Sequence, residues 1–184
     1  MKKGTTVGWM TVFTGVLLAT GSSVYANHAA TGKGTYAVAH QVVLQFHFVV
    51  ATAGLNFVQS EWAEVGGSLS FQTTAVNAFT ISAAPAGRMV TITGEMVSTT
   101  ILGVGSERQA FAELVPFTAI GVDTATPEAG TDLFSLTVKY RANQAQGPVL
   151  ASLGFGTCDT TTCTITFEGP VEEGNIFVHT AGGE

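Results

Sequence analysis

The sequence predicts an all-β fold: a single-domain antiparallel β-sandwich or closed β-barrel of about 8–10 strands, preceded by a signal peptide. Three observations lead to this prediction. Several segments alternate apolar and polar residues with a period of two, as half-buried strands do. The chain contains 22 glycines and many β-branched residues, while only 11% of its residues are charged. Such a composition favours strands and tight turns over helices. Finally, the alternating segments are short and closely spaced, which is typical of sandwiches and barrels.

Residues 1–26 are predicted to be a signal peptide. Lys2 and Lys3 precede an apolar run from Val7 to Ala19, and Val24-Tyr25-Ala26 fits a small-residue cleavage site. An uncleaved anchor is the alternative, but glycines and threonines interrupt the run, which is short for a hydrocarbon core of about 30 Å. We therefore expect a secreted or periplasmic protein with no transmembrane segment in the mature chain.

Residues 27–184 are predicted to form one β-rich domain, because this length suffices to bury a sizeable core. The whole chain has a formal net charge of −6, and loss of Lys2 and Lys3 would make it more negative. An acidic excess argues against nucleic acid, whose phosphates require lysine and arginine. It also argues against anionic lipid surfaces. The expected partner is an unidentified extracellular or envelope component.

The clearest strand in the first half of the domain runs from Val42 to Val50. Its alternation places Leu44, Phe46 and Phe48 on one face. The segment before it, Asn27–Lys33, is expected to be a loose leader. Further strands are predicted at Ser68–Gln72, at Phe79–Ile81 and at Arg88–Glu95, with a turn at Ala84–Gly87 and a connection at Thr99–Ser106.

In the second half, Gln109–Gly121 is a long apolar run. It predicts either one buried strand or two short strands divided near Pro116, because proline cannot donate a hydrogen bond to a central ladder. Thr131–Tyr140 alternates cleanly and predicts a strand. Three short apolar segments complete the predicted strands: Val149–Phe155, Thr164–Phe167 and Asn175–His179.

The two cysteines, Cys158 and Cys163, lie in the sequence Cys-Asp-Thr-Thr-Thr-Cys. In an oxidising compartment such a pair predicts a disulfide. Closing so short a loop stabilises the fold by about 2 kcal/mol, so the bond is expected to pin a hairpin turn. A redox-active pair is the alternative, but the spacing is not Cys-x-x-Cys.

An acidic loop provides the candidate metal site, for which we select Asp123, Glu128 and Asp132. These carboxylates could converge around a turn, and calcium prefers hard oxygen ligands. The spacing does not match an EF-hand. The alternative, which we weight more heavily, is a solvated turn in which Asp132 accepts hydrogen bonds from nearby backbone amides. We therefore expect no cofactor, with calcium as the alternative.

No residue is assigned a catalytic role. The histidines, His28, His40, His47 and His179, show neither His-x-His nor His-Glu-x-x-His spacing, so a shared metal site is not favoured. The Gly103–Ser106 segment lacks the Gly-x-Ser-x-Gly order of a nucleophile elbow. Isolated histidines on strands are more often surface or packing residues than ligands.

Three segments, taken in order, carry a resemblance to a known family. They are Thr31-Gly-Lys-Gly-Thr35, Pro127-Glu-Ala-Gly-Thr-Asp-Leu-Phe-Ser-Leu136 and Gly174-Asn-Ile-Phe-Val-His179. Together they resemble the post-COAP family of secreted bacterial β-domains, whose pattern includes Gly-x-Asp-x-Phe-Ser-Ile and a terminal Gly-Asn-Ile-x-x-His. The Gly67–Phe71 segment departs from the family by lacking the acidic and histidine residues expected after that strand. The resemblance implies a secreted β-rich module and no particular reaction.

The leading functional hypothesis is an exported, non-enzymatic β-domain that acts as a binding, adhesion or structural module. The sequence predicts the fold clearly, but it shows no set of residues arranged as in a known catalytic site. One alternative is a small β-barrel that binds an apolar ligand in a cavity lined by Phe46, Phe48, Phe71 and Phe134. Another is a metal-dependent extracytoplasmic enzyme that uses the histidines or the acidic loop. An apolar pocket would favour the ligand-binding barrel, whereas a filled core would count against it.

Overall fold

The protein is a closed antiparallel β-barrel of eight strands. The computed structural model describes residues 28–38, 42–52, 56–64, 67–85, 87–103, 108–124 and 132–179. Its elements are β1 (His28–Ala37), β2 (Val43–Ala51), β3 (Phe57–Glu64), β4 (Gly67–Ala84), β5 (Gly87–Leu102), β6 (Gln109–Asp123), β7 (Leu133–Arg141), α1 (Gln146–Ser152), β8 (Gly156–Cys158) and β9 (Thr162–Val178).

Neighbouring strands in the barrel are mostly neighbours in sequence. The order runs from β1 through β7 to β9, and β9 pairs back with β1 to close the sheet. The short strand β8 lies outside this circle, beside the first part of β9. The predicted all-β class is confirmed, and the closure decides for a barrel over a sandwich. The predicted signal peptide, residues 1–26, lies outside the described residues.

No helix in the described ranges has the length and apolar character needed to cross a membrane.

Aromatic side chains fill the middle of the barrel. Phe46 and Phe134 stack with ring centroids 4.3 Å apart, and Phe48 stacks on Phe134 at 6.0 Å. Tyr36 meets Phe134 edge-on at 5.1 Å, and its hydroxyl lies 3.0 Å from Ser60 Oγ. All five side chains are buried. The inward face predicted for Phe46 and Phe48 is therefore confirmed, and burial of Tyr36 raises the pKa of its hydroxyl.

Two glycines make room for Phe48. A Cβ on Gly32 of β1 would lie 2.3 Å from Phe48 Cε1, and one on Gly121 of β6 would lie 3.0 Å from Phe48 Cζ. Both distances are shorter than a carbon–carbon contact allows. The glycine-rich β1 thus provides the space that the phenylalanine-rich β2 needs.

The expectation of a loose leader at Asn27–Lys33 is wrong for the described residues, because β1 begins at His28 and is the closing strand. β1 pairs with β2 on one side and with β9 on the other. Its sequence, His-Ala-Ala-Thr-Gly-Lys-Gly-Thr-Tyr-Ala, lacks the regular apolar positions that reveal a strand. The sequence of this segment has only a weak preference for the strand conformation. Pairing with β2 and β9 on its two sides stabilises the strand instead.

The structure also joins segments that the sequence divides. The two short strands predicted at Ser68–Gln72 and Phe79–Ile81 are parts of the 18-residue β4. Thr99–Leu102, predicted as a connection, continues β5. β6 is one strand, and Pro116 lies one residue outside the stretch that pairs with β7, so its missing N–H needs no partner on that edge.

The predicted strand at Val149–Phe155 is wrong, because residues 146–152 form the helix α1. A short apolar run cannot be assigned to strand or helix by periodicity alone. Here Gln146 and Leu150 are four residues apart on one side of α1, and Leu153, directly after the helix, continues that spacing. Pro148 falls in the first turn, where its missing N–H is tolerated.

Candidate functional site

The helix α1 lies against one end of the barrel, where it contacts β6, β7, β8 and β9. Gly147 allows its close approach: a Cβ at this position would lie 2.6 Å from Tyr140 Cβ and 2.8 Å from Cys163 Cβ. Leu150 is buried on the same helix. Because a larger residue than glycine would push the helix outward, this contact fixes how deeply α1 sits.

A buried polar cluster anchors the start of α1. The Gln146 side chain is fully buried, and its Nε2 donates to Ser98 Oγ at 2.6 Å and also to Thr100 Oγ1. Ser98 Oγ lies 2.6 Å from the Tyr140 hydroxyl, whose pKa is raised mainly by burial. On the other side, Glu113 Oε1 accepts a hydrogen bond of 3.3 Å from the backbone N–H of Gln146. The cluster ties α1 to β5, β6 and β7.

Two acceptors in this cluster have no hydrogen-bond partner among the described residues, Glu113 Oε2 and Gln146 Oε1. An unpaired buried acceptor is costly, and more so when it is charged. Burial accordingly raises the pKa of Glu113 above its usual value of 4.5, and the hydrogen bond from Gln146 only partly offsets the shift.

We expect Glu113→Gln to stabilise the protein increasingly as the pH rises. A raised pKa means that the folded protein binds the Glu113 proton more tightly than the unfolded chain does. The contribution of this group to stability is therefore fully present below pH 4.5 and is lost as the pH rises through the folded-state pKa. Thermal unfolding followed by circular dichroism between about pH 4 and 8 would measure the effect.

The matched control for that variant is Glu168→Gln, which removes a carboxylate from an exposed position of β9. A difference in Tm between the Glu113 variant and wild type that stays constant with pH would contradict the expectation.

An apolar pocket of about 240 Å³ opens beside α1 at the same end of the barrel. Its walls come from the barrel strands β3, β4, β5 and β9, from Val42 just before β2, from α1 and from the residues that follow α1. The lining residues are Val42, Trp62, Ser68, Leu69, Thr100, Leu102, Leu150, Leu153, Phe155 and Phe167. Eight of these ten are apolar and none is charged. Because Thr100 also binds Gln146, the pocket and the anchor of α1 share a residue.

The pocket is not the cavity that the sequence suggests. Phe46, Phe48 and Phe134 are stacked in the core, and Phe71 packs against Phe167 with ring centroids 5.3 Å apart; none of the four lines the pocket. Leu150, Leu153 and Phe155 line it instead, and they were missed because their segment was predicted to be a strand. The helical spacing of Gln146, Leu150 and Leu153 is the signal that could have found them.

Asp132 and Asp123 bind backbone N–H groups of β9. Asp132 is 4% exposed, and its Oδ2 accepts from the Ile176 N–H at 2.8 Å, while its Oδ1 accepts from the Thr124 N–H at 3.1 Å. Asp123 Oδ2 accepts from the Val178 N–H at 3.0 Å. Asp132 accepts from backbone amides, as in the alternative to the calcium site, but the solvated local turn expected there is wrong, because Asp132 is buried and Ile176 is 44 residues away in sequence. The bonds of Asp123 and Asp132 fasten the ends of β6 and β7 to β9.

The third residue of the candidate calcium site, Glu128, lies outside the described residues. Within the described ranges, no group of three or more His, Cys, Asp or Glu side chains is placed to hold a metal ion. The calcium site at Asp123, Glu128 and Asp132 therefore stays a prediction.

The histidines that can be placed lie on the outside of the barrel. His47 is exposed on β2, with its ring 4.8 Å from that of Phe57 and nearly perpendicular to it. Partial burial and the nearby positive charge of Lys33 lower the pKa of His47. His179 is exposed after β9. His40 and the side chain of His28 lie outside the described part of the chain.

The predicted disulfide between Cys158 and Cys163 is present. The two cysteines are cross-strand partners of β8 and β9, with Cα atoms 3.9 Å apart, so the bond pins a hairpin turn as expected. Inside the turn, the Asp159 carboxylate accepts from the Thr161 and Thr162 N–H groups at 2.7 and 2.8 Å. These bonds lower the pKa of Asp159. The hairpin supports α1, because Gly147 packs directly on Cys163.

Comparison of the chain with known proteins finds no matching family model, no matching curated protein and no matching solved structure. The resemblance to the post-COAP family therefore stays a hypothesis.

Proposed function

We propose that this protein is a non-enzymatic, extracytoplasmic binding domain that holds a small apolar ligand in the pocket beside α1. The observation that carries the proposal is the pocket itself, about 240 Å³ with mostly apolar walls. Ligand sites in proteins are typically concave and apolar, and barrels often hold ligands at their mouths. The proposal takes up the alternative of a small β-barrel that binds an apolar ligand, but places the ligand beside α1 and not among Phe46, Phe48, Phe71 and Phe134.

The lining limits what the ligand can be. A cavity of about 150 Å³ lined by Leu, Ile and Phe accommodates benzene, so a pocket of this larger volume suits roughly ten non-hydrogen atoms. No charged side chain lines it, so a charged ligand group would lose its hydration without a partner. Thr100 and Ser68 supply the hydroxyl groups of the wall. A small hydrocarbon or aromatic molecule with at most one neutral polar group therefore fits best.

An extracytoplasmic location is part of the proposal. Disulfides persist in oxidising compartments and are rare in the cytosol, and the bond between Cys158 and Cys163 supports the hairpin on which α1 rests. The predicted signal peptide at residues 1–26 points the same way.

Trp62 provides a direct test, because it lines the pocket and the second tryptophan, Trp9, lies in the predicted signal peptide. In the protein that starts at Asn27 we expect 1-bromooctane to quench Trp62 fluorescence in a saturable way. Leu153→Ala should weaken this binding roughly fivefold, because it removes part of the apolar wall that follows α1. Fluorescence titration of both proteins would measure the change.

Leu133→Ala is the matched control: Leu133 is 46% exposed, close to the 48% of Leu153, but it lies on β7 away from the pocket. Its affinity for 1-bromooctane should equal that of the parent protein. Quenching that does not saturate, or equal affinities in the two leucine variants, would refute a ligand site beside α1.

A further inference from the structure

The second half of β4 has a free edge in the described part of the chain. β3 pairs with β4 only from Gly67 to Gln72, whereas β5 pairs with it as far as Ala84. Two register shifts, between Thr73 and Ala75 and between Val76 and Ala78, separate the two halves. From Ala78 to Ala84 the strand is regular again, with β5 on one side and no described strand on the other.

This edge carries none of the usual side-chain protection against strand pairing. Natural proteins guard exposed edges with lysines, other charges or proline within the strand. Residues 65–87 contain no Asp, Glu, Lys, Arg or His, and the one proline of this stretch, Pro85, follows the end of β4. In a chain with a net charge of −6, an uncharged strand lets two copies approach with little electrostatic repulsion.

The strand is also complementary to itself in the antiparallel direction. Phe79, Ile81 and Ala83 share one face, and Thr80 and Ser82 share the other. A register centred on Ile81 places Ile81 opposite its own copy, Phe79 opposite Ala83, and Thr80 opposite Ser82. Apolar residues then meet apolar residues, and hydroxyl groups meet hydroxyl groups. Ile81 is 37% exposed and the Phe79 side chain is partly exposed, so both have surface left to bury.

We infer that two copies of this chain pair edge to edge along Ala78–Ala84, which joins their barrels into one continuous antiparallel sheet about a two-fold axis. Such an interface is isologous, because each copy uses the same surface. The charged residue paired with this stretch is Arg88, opposite Ala83, and Asp123 lies opposite Arg88 on β6, so the nearest charges balance. The inference does not depend on the ligand pocket, which lies at the other end of β4 and β5.

Sedimentation velocity over about 1–200 µM protein tests the pairing, since a strand pair of this length is at the small end of specific interfaces and should dissociate in the micromolar range. Wild type should shift from monomer to dimer across the series. Ile81→Lys and, separately, Thr80→Lys should remain monomeric, because each places two lysines in close proximity across the proposed edge.

Leu133→Lys is the matched control, with a similar exposed aliphatic residue on β7, and should dimerise as wild type does. Circular dichroism of each variant establishes that the barrel is folded. A wild type that is monomeric over the whole series overturns the inference. So does a dimer that forms equally well in folded Ile81→Lys, Thr80→Lys and Leu133→Lys, because it must use another surface.

Discussion

Replacing Phe134 with alanine is expected to lower the free energy of unfolding by about 4 kcal/mol. Phe134 is fully buried and packs against Phe46 at 4.3 Å, Tyr36 at 5.1 Å and Phe48 at 6.0 Å. Removing its ring leaves a void among rigid aromatic neighbours that cannot collapse easily, so the lost contacts add to the lost burial. Urea denaturation followed by circular dichroism measures the change.

Phe177→Ala is the matched control for this prediction. Phe177 lies on β9 and is 52% exposed, so its loss should change the free energy of unfolding by less than about 0.5 kcal/mol. Similar losses in the two variants would mean that the aromatic cluster does not dominate the core.

Replacing Gly174 with alanine is expected to cost about 3 kcal/mol, because it strains the seam that closes the barrel. Gly174 of β9 lies opposite Gly34 of β1 and has a φ of +111°. A Cβ there would be 2.0 Å from the carbonyl oxygen of Lys33. A backbone atom cannot rotate away as a side chain can, so β1 and β9 would have to separate locally. The same denaturation experiment reports the loss.

The neighbouring Glu173→Ala provides the control. Glu173 is exposed on the same strand and already has a Cβ, so this change adds no atom to the seam. The free energy of unfolding of this variant should lie within about 0.5 kcal/mol of that of wild type. If Gly174→Ala were as stable as this control, the close approach of β1 and β9 would not be needed for closure.

The pocket, the helix and the disulfide hairpin form one connected unit at the end of the barrel. The hairpin carries Cys163, on which Gly147 packs. Leu150 of α1 and Leu153, directly after the helix, then line the pocket. Gln146 fixes the other side of the helix through Ser98 and Thr100. The affinity of the pocket for a ligand would therefore depend on residues that do not contact the ligand. Glu113, which binds the start of α1, is one of them.

Local sequence patterns were sufficient to predict the regular parts of the fold. The alternation in Val42–Val50 and Thr131–Tyr140 correctly predicted β2 and β7, because both strands bury one face and expose the other. The cysteine spacing correctly predicted a hairpin disulfide.

Local sequence patterns could not predict most of the candidate site. Trp62 and Leu69 come from adjacent strands, Leu102 from the end of β5, and Phe167 from β9, so only strand order brings them together. Leu150 of α1 and Leu153 just after it come from a short apolar run that is equally compatible with a strand. No single segment carries enough of the pocket to reveal it.

The sequence by itself determined the all-β class, the faces of its clearest strands and the disulfide, because each depends on residues close together in the chain. The tertiary structure alone decided that the sheet closes into a barrel and that residues 28–37 are the closing strand. The physical reason is that β1 has little apolar alternation of its own. Its place is set by hydrogen bonds to β2 and β9, and by the glycines that let Phe48 and the backbone of β9 come close.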